Sequence, residues 1–70
     1  MTGISVILNG TKSSADTGSL AEFLVAQGVD ATRRFVAVAV NGMVVPRQDW
    51  PNSRLAEGDE IEIVQPIKGG

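Results

Sequence analysis

The chain has 70 residues, of which 43% are hydrophobic and 20% charged, a balance typical of one small globular domain. Its formal net charge is -2, and its 6 basic residues form no stripe that could follow a phosphate backbone, so nucleic acid is not an expected partner. Cysteine and histidine are both absent, which excludes thiol chemistry, disulfide bonds, imidazole catalysis and metal sites built from those ligands.

The distribution of hydrophobic residues predicts no membrane segment. No apolar run approaches the roughly 20 residues that a helix needs to cross a bilayer. The N-terminus lacks the basic region and the long apolar stretch of a secretory signal. We therefore expect a cytoplasmic protein with no membrane partner.

The N-terminal residues predict a hairpin. Ile4 to Leu8 has the alternation of a strand, and Asn9-Gly10 is the dipeptide best suited to the positive φ angles of a type I′ turn. The return strand would run from Thr11 to Ala15 and is short and polar, as an edge strand should be.

A helix is predicted next, because Ser19 and Glu22 have the spacing of a capping box. In that motif the Ser19 hydroxyl and the Glu22 carboxylate would each accept a hydrogen bond from a backbone N–H at the start of the helix. Gly28 would end the helix in a left-handed conformation, which predicts a length of about nine or ten residues.

A second hairpin is predicted in the middle of the chain. The run from Phe35 to Val40 is continuously apolar, Asn41-Gly42 predicts another type I′ turn, and Met43 to Val45 would form the returning strand. We interpret Asn41-Gly42 as a requirement of the turn alone. Residues 47–55 predict an irregular or short 3₁₀ stretch in which Trp50 caps the core.

The last strand and the order of the elements define the fold class. Glu60 to Val64 alternates charged and apolar residues, as a half-buried strand does. Strands on both sides of one helix predict an α+β domain, in which a right-handed crossover places the last strand beside the first and parallel to it. We therefore predict a β-grasp (ubiquitin-like) domain over residues 1–64, with a mixed sheet of four to five strands folded around one helix. Residues 65–70 would form a flexible tail that ends in Gly-Gly.

Four segments of the chain resemble a known family. They are the opening Ile4 to Gly10, the segment Val36 to Arg47, the turn and strand Leu55 to Val64, and the closing Gly69-Gly70. Together they cover nearly the whole chain, and they are similar to the ubiquitin-like sulfur carrier proteins of thiamine biosynthesis. The position of Gly-Gly directly after a final β-grasp strand and a short tail makes the combination specific.

The resemblance implies a carrier whose reactive group is the C-terminal carboxylate of Gly70. A ubiquitin-activating-type adenylyltransferase, using its own Mg-ATP, would adenylate that carboxylate, and sulfur from a sulfur donor enzyme would displace the adenylate to leave a thiocarboxylate. Thiazole synthase would then receive the sulfur. The chain itself would bind no cofactor and would not be an enzyme. Because neither Gly69 nor Gly70 has a Cβ, this end of the chain is narrow enough to enter an enclosed active site.

Contacts with partner proteins are predicted at two places. In the tail, Ile67 is either an anchor for a partner or incidental, and Lys68 either binds an acidic groove or is solvated. In the sheet, Ala37 and Ala39 should lie on the face opposite the valines. Small side chains there would let a partner dock closely, or would pack beneath a loop.

The residues by themselves are also compatible with other functions. The same body and tail would suit a sulfur carrier for molybdopterin synthesis, of the small-subunit type, whereas a β-grasp interaction module with an idle tail would not use Gly70 at all. Ser19 lies in a Gly-Ser-Leu-Ala segment superficially like the phosphopantetheine site of acyl carrier proteins. Those proteins are helical bundles, however, and this chain is rich in predicted strands.

Overall fold

The computed structural model describes residues 3–30, 32 and 35–65, and these form a mixed sheet of five strands with one α-helix. In chain order the elements are β1 (Ile4–Leu8), β2 (Thr11–Ala15), α1 (Leu20–Ala26), β3 (Ala37–Val40), β4 (Met43–Val44), a 3₁₀ helix (Arg47–Asn52) and β5 (Glu60–Val64). The strand order is β2-β1-β5-β3-β4, with β5 parallel to β1 and antiparallel to β3. The prediction that the last strand lies beside the first, in the middle of a mixed sheet, is confirmed.

Both predicted hairpins are present, and both turn on an Asn-Gly pair. Asn9 has a φ of 49° and Gly10 a φ of 84°, while Asn41 and Gly42 have φ values of 53° and 84°. Two successive positive φ angles are what a type I′ turn requires, and this turn matches the right-handed twist of the strands that it joins. The dipeptides therefore determine the register of both hairpins.

The second hairpin is shorter than its apolar run. Its first strand begins at Ala37, not at Phe35, and the Phe35 side chain is 72% exposed. The neighbouring strand explains this limit, because Ala37 pairs with Val64 and β5 ends at that residue. Residues before Ala37 have no partner in β5, so their hydrophobicity alone does not make them part of the strand.

The start of α1 confirms one half of the predicted capping box. The Ser19 hydroxyl accepts a hydrogen bond from the Glu22 backbone N–H at 3.3 Å. The other half is wrong, since the Ser19 N–H donates to the Thr17 hydroxyl at 3.1 Å and not to the Glu22 carboxylate. A hydroxyl two residues upstream reaches that N–H within its own bend, which leaves the Glu22 side chain exposed to solvent. The helix itself has 7 residues, shorter than predicted, because both cap residues lie outside it.

The end of α1 is closed by Gly28, as predicted. Its φ of 82° is left-handed, and the following N–H of Val29 donates to the Leu24 carbonyl at 3.0 Å. The Gly28 N–H donates to the Val25 carbonyl at 2.9 Å. These two bonds form a Schellman motif, and Val29 is buried, which supplies the hydrophobic contact that accompanies it.

Replacing Gly28 with alanine is expected to destabilise the protein by about 1 to 2 kcal/mol. A Cβ at this position meets no atom within 4 Å, so the loss comes from the left-handed backbone alone. Urea unfolding measures it, with Gly18→Ala as the matched control, because a Cβ on Gly18 meets its nearest atom at an ordinary 3.5 Å and needs no positive φ. Equal stability of the two variants would contradict this account.

The core lies between α1 and the inner face of the sheet. Its largest fully buried side chains come from the helix and three strands: Phe23, Leu20, Leu24, Ile61, Val6 and Val38. Trp50 of the 3₁₀ helix is 3% exposed and covers the core at one end, as predicted. Its indole N–H donates to the Val45 carbonyl at 2.9 Å, and the Arg47 guanidinium lies 5.4 Å from the centre of its ring.

Candidate functional site

The C-terminal residues on which the predicted chemistry depends lie outside the described part of the chain. They are Ile67, Lys68, Gly69 and Gly70, and the last residue that the structure describes is Gln65. The structure therefore bears on the site through the strand that leads to these residues, β5, and through the sheet face around the end of that strand.

Ala37 and Ala39 lie on the outer face of the sheet, opposite the valine that enters the core. Val38 between them is 1% exposed, whereas Ala37 is exposed and Ala39 half-buried. The prediction that the two alanines lie on the face away from the core is confirmed. Of the two uses considered for them, packing beneath a loop does not apply to Ala37, whose side chain is open to solvent.

Strand pairing brings two further apolar residues to the same face. Ala37 pairs with Val64 of β5, and Ala39 pairs with Val44 of β4. Directly opposed residues of antiparallel strands share a face and have neighbouring side chains. Val44 is 72% exposed and Val64 is 65% exposed. These four residues, Ala37, Ala39, Val44 and Val64, form a continuous apolar surface that we call the outer patch.

Val44 and Val64 are the residues of the outer patch that sequence reasoning missed. A pattern for one of them was present, because Glu60, Glu62 and Val64 occupy the same face of β5, and Val64 is where a charged residue would continue the alternation. A single exposed apolar residue is common on protein surfaces, and it is the grouping of Val64 with other apolar residues that indicates a binding surface. No such pattern marks Val44, whose place in the outer patch depends on its pairing with Ala39.

The outer patch has an acidic border. Glu62 pairs with Ala39 and precedes Val64 by two residues, so it lies on the outer face beside the apolar residues, and Glu60 lies on the same face two residues earlier. Both glutamates are exposed. A protein surface that complements this one is apolar at its centre and basic at its edge.

The interpretation of Asn41-Gly42 as a turn requirement alone is wrong. The Asn41 side-chain oxygen accepts a hydrogen bond from the Glu60 N–H at 2.9 Å, and its amide nitrogen donates to the Asp59 carboxylate at 3.0 Å. The second Asp59 carboxylate oxygen accepts from the Ala56 N–H at 2.8 Å. Asn41 therefore holds the start of β5 as well as forming a turn.

Asn9 makes the corresponding contacts near the other end of β5. Its side-chain oxygen accepts a hydrogen bond from the Ile63 N–H at 2.8 Å, and its amide nitrogen donates to the Ile63 carbonyl at 3.4 Å. The two turn asparagines thus hold β5 at Glu60 and at Ile63. The strand that leads to the C-terminal residues is attached at both ends by side-chain amides in addition to its sheet pairing.

Other kinds of site find little support among residues 3–30, 32 and 35–65. No group of three or more acidic side chains there could hold a metal ion, and no helix there is long and apolar enough to cross a membrane. The Ser19 hydroxyl is engaged as the cap of α1, which accounts for a serine at this position without any attached group.

Comparison with known proteins identifies the family. The model of the ThiS family matches residues 4–70, nearly the whole chain including the two terminal glycines. The chain belongs to the ThiS family. The prediction made from the four resembling segments is thereby confirmed, together with the β-grasp fold.

Individual relatives agree with this assignment over most or all of their length. The chain is 28% identical over 67 residues to the sulfur carrier protein ThiS of Escherichia coli K12, covering 96% of this chain and 100% of the relative. The crystal structure of the thiamine biosynthesis protein ThiS from Geobacter metallireducens superposes with a TM-score of 0.76 at 28% identity, covering 96% of this chain and 100% of that one. The solution structure of a thiamine biosynthesis protein from the same organism gives 0.76 at 27% identity, with 96% and 88% covered.

Membership of the ThiS family also bears on what kind of protein this is. Its members are small sulfur carriers, so the chain is a carrier protein and not itself an enzyme, as predicted.

Proposed function

We propose that this chain is the sulfur carrier of thiamine biosynthesis and that the carboxylate of Gly70 carries the sulfur as a thiocarboxylate. The observation that supports this most directly is the match to the ThiS family, which extends over residues 4–70 and so includes Gly69 and Gly70. The absence of cysteine and histidine from the chain agrees with it, because the sulfur has no side-chain thiol to occupy.

The proposed chemistry takes place on the terminal carboxyl carbon. A carboxylate is a poor electrophile, so one of its oxygens first attacks the α-phosphorus of ATP, with pyrophosphate leaving, to form an acyl adenylate. Hydrosulfide (HS⁻) supplied by a donor enzyme then attacks the carbonyl carbon, AMP leaves with that oxygen, the sulfur loses its proton, and a thiocarboxylate remains. Mg-ATP belongs to the activating enzyme in this scheme, and thiazole synthase is the acceptor of the sulfur. Glycine at positions 69 and 70 avoids a Cβ where the chain must enter both active sites.

The body of the protein would serve as the docking module for these enzymes. The outer patch is adjacent to the end of β5, where Val64 pairs with Ala37, so a partner bound there lies next to the point from which residues 65–70 continue. At roughly 3.3 Å per residue, six extended residues span about 20 Å, which is enough to enter a cleft in that partner. Ile67 and Lys68 would then contact the walls of the cleft.

Mass spectrometry of the intact protein tests the proposal. The chain is incubated with a ubiquitin-activating-type adenylyltransferase, Mg-ATP and a sulfur donor, and the expected product carries one sulfur in place of one oxygen at Gly70. Fragmentation assigns the modified residue. A product modified elsewhere, or no product with an enzyme that loads another ThiS protein, would refute the assignment.

The choice between thiamine and molybdopterin is tested by the acceptor. Family membership favours thiamine, so the loaded protein is expected to transfer its sulfur to thiazole synthase. Formation of a stable complex with the large subunit of molybdopterin synthase, and no transfer to thiazole synthase, would instead assign the carrier to molybdopterin.

A charge placed in the outer patch is expected to weaken docking. Ala37→Glu would bring an unpaired carboxylate into the interface beside Glu62, and we expect the KM for loading to rise by about tenfold or more. The matched control is Ala26→Glu, which adds the same charge at an exposed alanine at the end of α1. Equal loading kinetics of the two variants would exclude the outer patch from the interface, and thermal unfolding checks that both are folded.

A further inference from the structure

The parallel pairing between β1 and β5 is short. It joins Ile7 with Glu60 and Leu8 with Ile61, and its last backbone bond runs from the Asn9 N–H to the Ile61 carbonyl at 2.9 Å. Beyond this point β1 turns away through Asn9-Gly10 to form the first hairpin. Strand β5 continues to Val64, and therefore extends past the strand that supports it on this side.

The Asn9 side chain takes over where the backbone of β1 turns away. If the parallel ladder continued, the Ile63 N–H would donate to the main-chain carbonyl of Asn9. Instead it donates to the side-chain oxygen of Asn9 at 2.8 Å, and the amide nitrogen of Asn9 donates to the Ile63 carbonyl at 3.4 Å. One side-chain amide thus substitutes for a peptide group and lengthens the pairing of β5 by one more step.

This contact is the final one on its side of β5 within residues 3–30, 32 and 35–65. Successive residues of a strand direct their backbone groups to opposite neighbours, so Ile63 faces β1 and Val64 faces β3. Val64 is paired with Ala37, the first residue of β3. Among the residues that the structure describes, Asn9 on one side and Ala37 on the other are therefore the last that pair with β5.

We infer that Asn9 is a positioning residue for the C-terminal segment. By holding the backbone N–H and carbonyl groups of Ile63, the Asn9 side chain fixes the end of β5, from which the C-terminal segment continues. The segment then has fewer starting positions from which a partner must select when it binds. The inference relies on the proposed function for its effect on loading, whereas the hold on Ile63 can be measured without any enzyme. Restricting a segment before binding lowers the entropy lost on binding and so improves the apparent affinity.

Substitution by glycine separates the positioning role from the turn. Asn9→Gly keeps a residue that favours positive φ, and Gly-Gly suits a type I′ turn, so the hairpin remains while both bonds to Ile63 are lost. Asn41→Gly is the matched control. It has the same turn type and also loses two side-chain bonds, but these lie at Asp59 and Glu60, at the start of β5.

Backbone ¹⁵N relaxation provides a test that needs no partner. In the wild type we expect order parameters of about 0.85 at Ile63 and Val64, and in Asn9→Gly a fall towards about 0.6 there. The control Asn41→Gly should leave these two residues unchanged. Asn9→Asp keeps the acceptor for the Ile63 N–H and loses only the donor, so intermediate values are expected. Unchanged values in Asn9→Gly would overturn the inference, and this result does not depend on whether the protein carries sulfur.

Loading kinetics then test the consequence for function. We expect Asn9→Gly to raise the KM for adenylation by about five- to tenfold with little change in kcat, Asn9→Asp to recover most of the loss, and Asn41→Gly to change the KM by less than about twofold. The comparison is made at a temperature where both variants are folded. Equal KM values for Asn9→Gly and Asn41→Gly would mean that Asn9 only stabilises the fold, and would overturn the inference. Failure of the wild-type chain to be loaded would instead refute the proposed function, with the relaxation data still deciding whether Asn9 holds β5.

Discussion

Removal of Gly70 is expected to abolish thiocarboxylate formation. The truncated chain would still end in a carboxylate, on Gly69, but that group would stop about 3.3 Å short of the position at which the activating enzyme presents ATP. A misplacement of about 1 Å already lowers an enzymatic rate by roughly 100-fold, so no product should be detected. Intact mass after incubation with the activating enzyme, Mg-ATP and a sulfur donor measures the result.

A second variant separates the effect of chain length at the terminus from the effect of side-chain size. Gly70→Ala retains a carboxylate at the original position and adds only a Cβ, so we expect slow but measurable loading. Both variants should unfold at the wild-type temperature, because each leaves all residues of β5, from Glu60 to Val64, unchanged. Loading of the truncated chain at the wild-type rate would contradict the requirement for Gly70. A truncated chain that is not loaded and still supports thiamine synthesis fully would make the protein an interaction module with an idle tail.

Phe23→Ala is expected to remove a large part of the free energy of unfolding. Phe23 is 1% exposed and lies at the centre of the face that α1 turns to the sheet. Truncating a buried phenylalanine to alanine costs about 3 to 5 kcal/mol, through lost burial and the cavity that remains. A domain of this size has a total stability of only about 4 to 10 kcal/mol, so the loss removes much of it.

The chain contains its own matched control for this prediction. Its other phenylalanine, Phe35, is 72% exposed in the turn before β3, so Phe35→Ala makes the same chemical change without a cavity. We expect the thermal midpoint to fall by more than about 12 °C for Phe23→Ala and by less than about 4 °C for Phe35→Ala. Similar decreases in the thermal midpoint for the two variants would contradict the placement of Phe23 in the core.

The predictions for Gly70 and for Phe23 concern different parts of the protein, the C-terminus and the folded body. The body contributes stability and a surface, and its variants should change folding or docking. In the proposed function the terminus contributes the chemical group, so its variants should change the reaction and leave folding intact. Asn9 is the one residue that we expect to connect the two, because its amide joins the first hairpin to the strand that leads to the terminus.

The parts of the fold that could be predicted are those specified by neighbouring residues. Asn9-Gly10 and Asn41-Gly42 predict type I′ turns because only a few residue types tolerate positive φ, and Gly28 ends its helix for the same reason. The capping box was half wrong for an equally local reason. Thr17 competes for the N–H of Ser19 at short range, which the spacing of Ser19 and Glu22 does not reveal.

The outer patch and the asparagine contacts could not be predicted in this way. Asn9 contacts Ile63 across 54 positions of the chain, and Asn41 contacts Glu60 across 19. Val44 joins Ala39 on one surface only because of the register between β3 and β4. Each of these contacts depends on which strands become neighbours, and a residue pattern within one strand contains no information about the identity of its neighbour.

The amino-acid sequence by itself determined the turns, the residues that cap the helix, the alternation of the strands, the β-grasp class and the family, since each of these depends on short-range conformational preference or on direct similarity. Only the tertiary structure decided that both turn asparagines hold β5 and that Val44 and Val64 extend the surface around Ala37 and Ala39. The physical reason is that hydrogen bonds and surface patches form between atoms that folding brings together, and the strand order that brings them together results from burial of all the apolar faces at once.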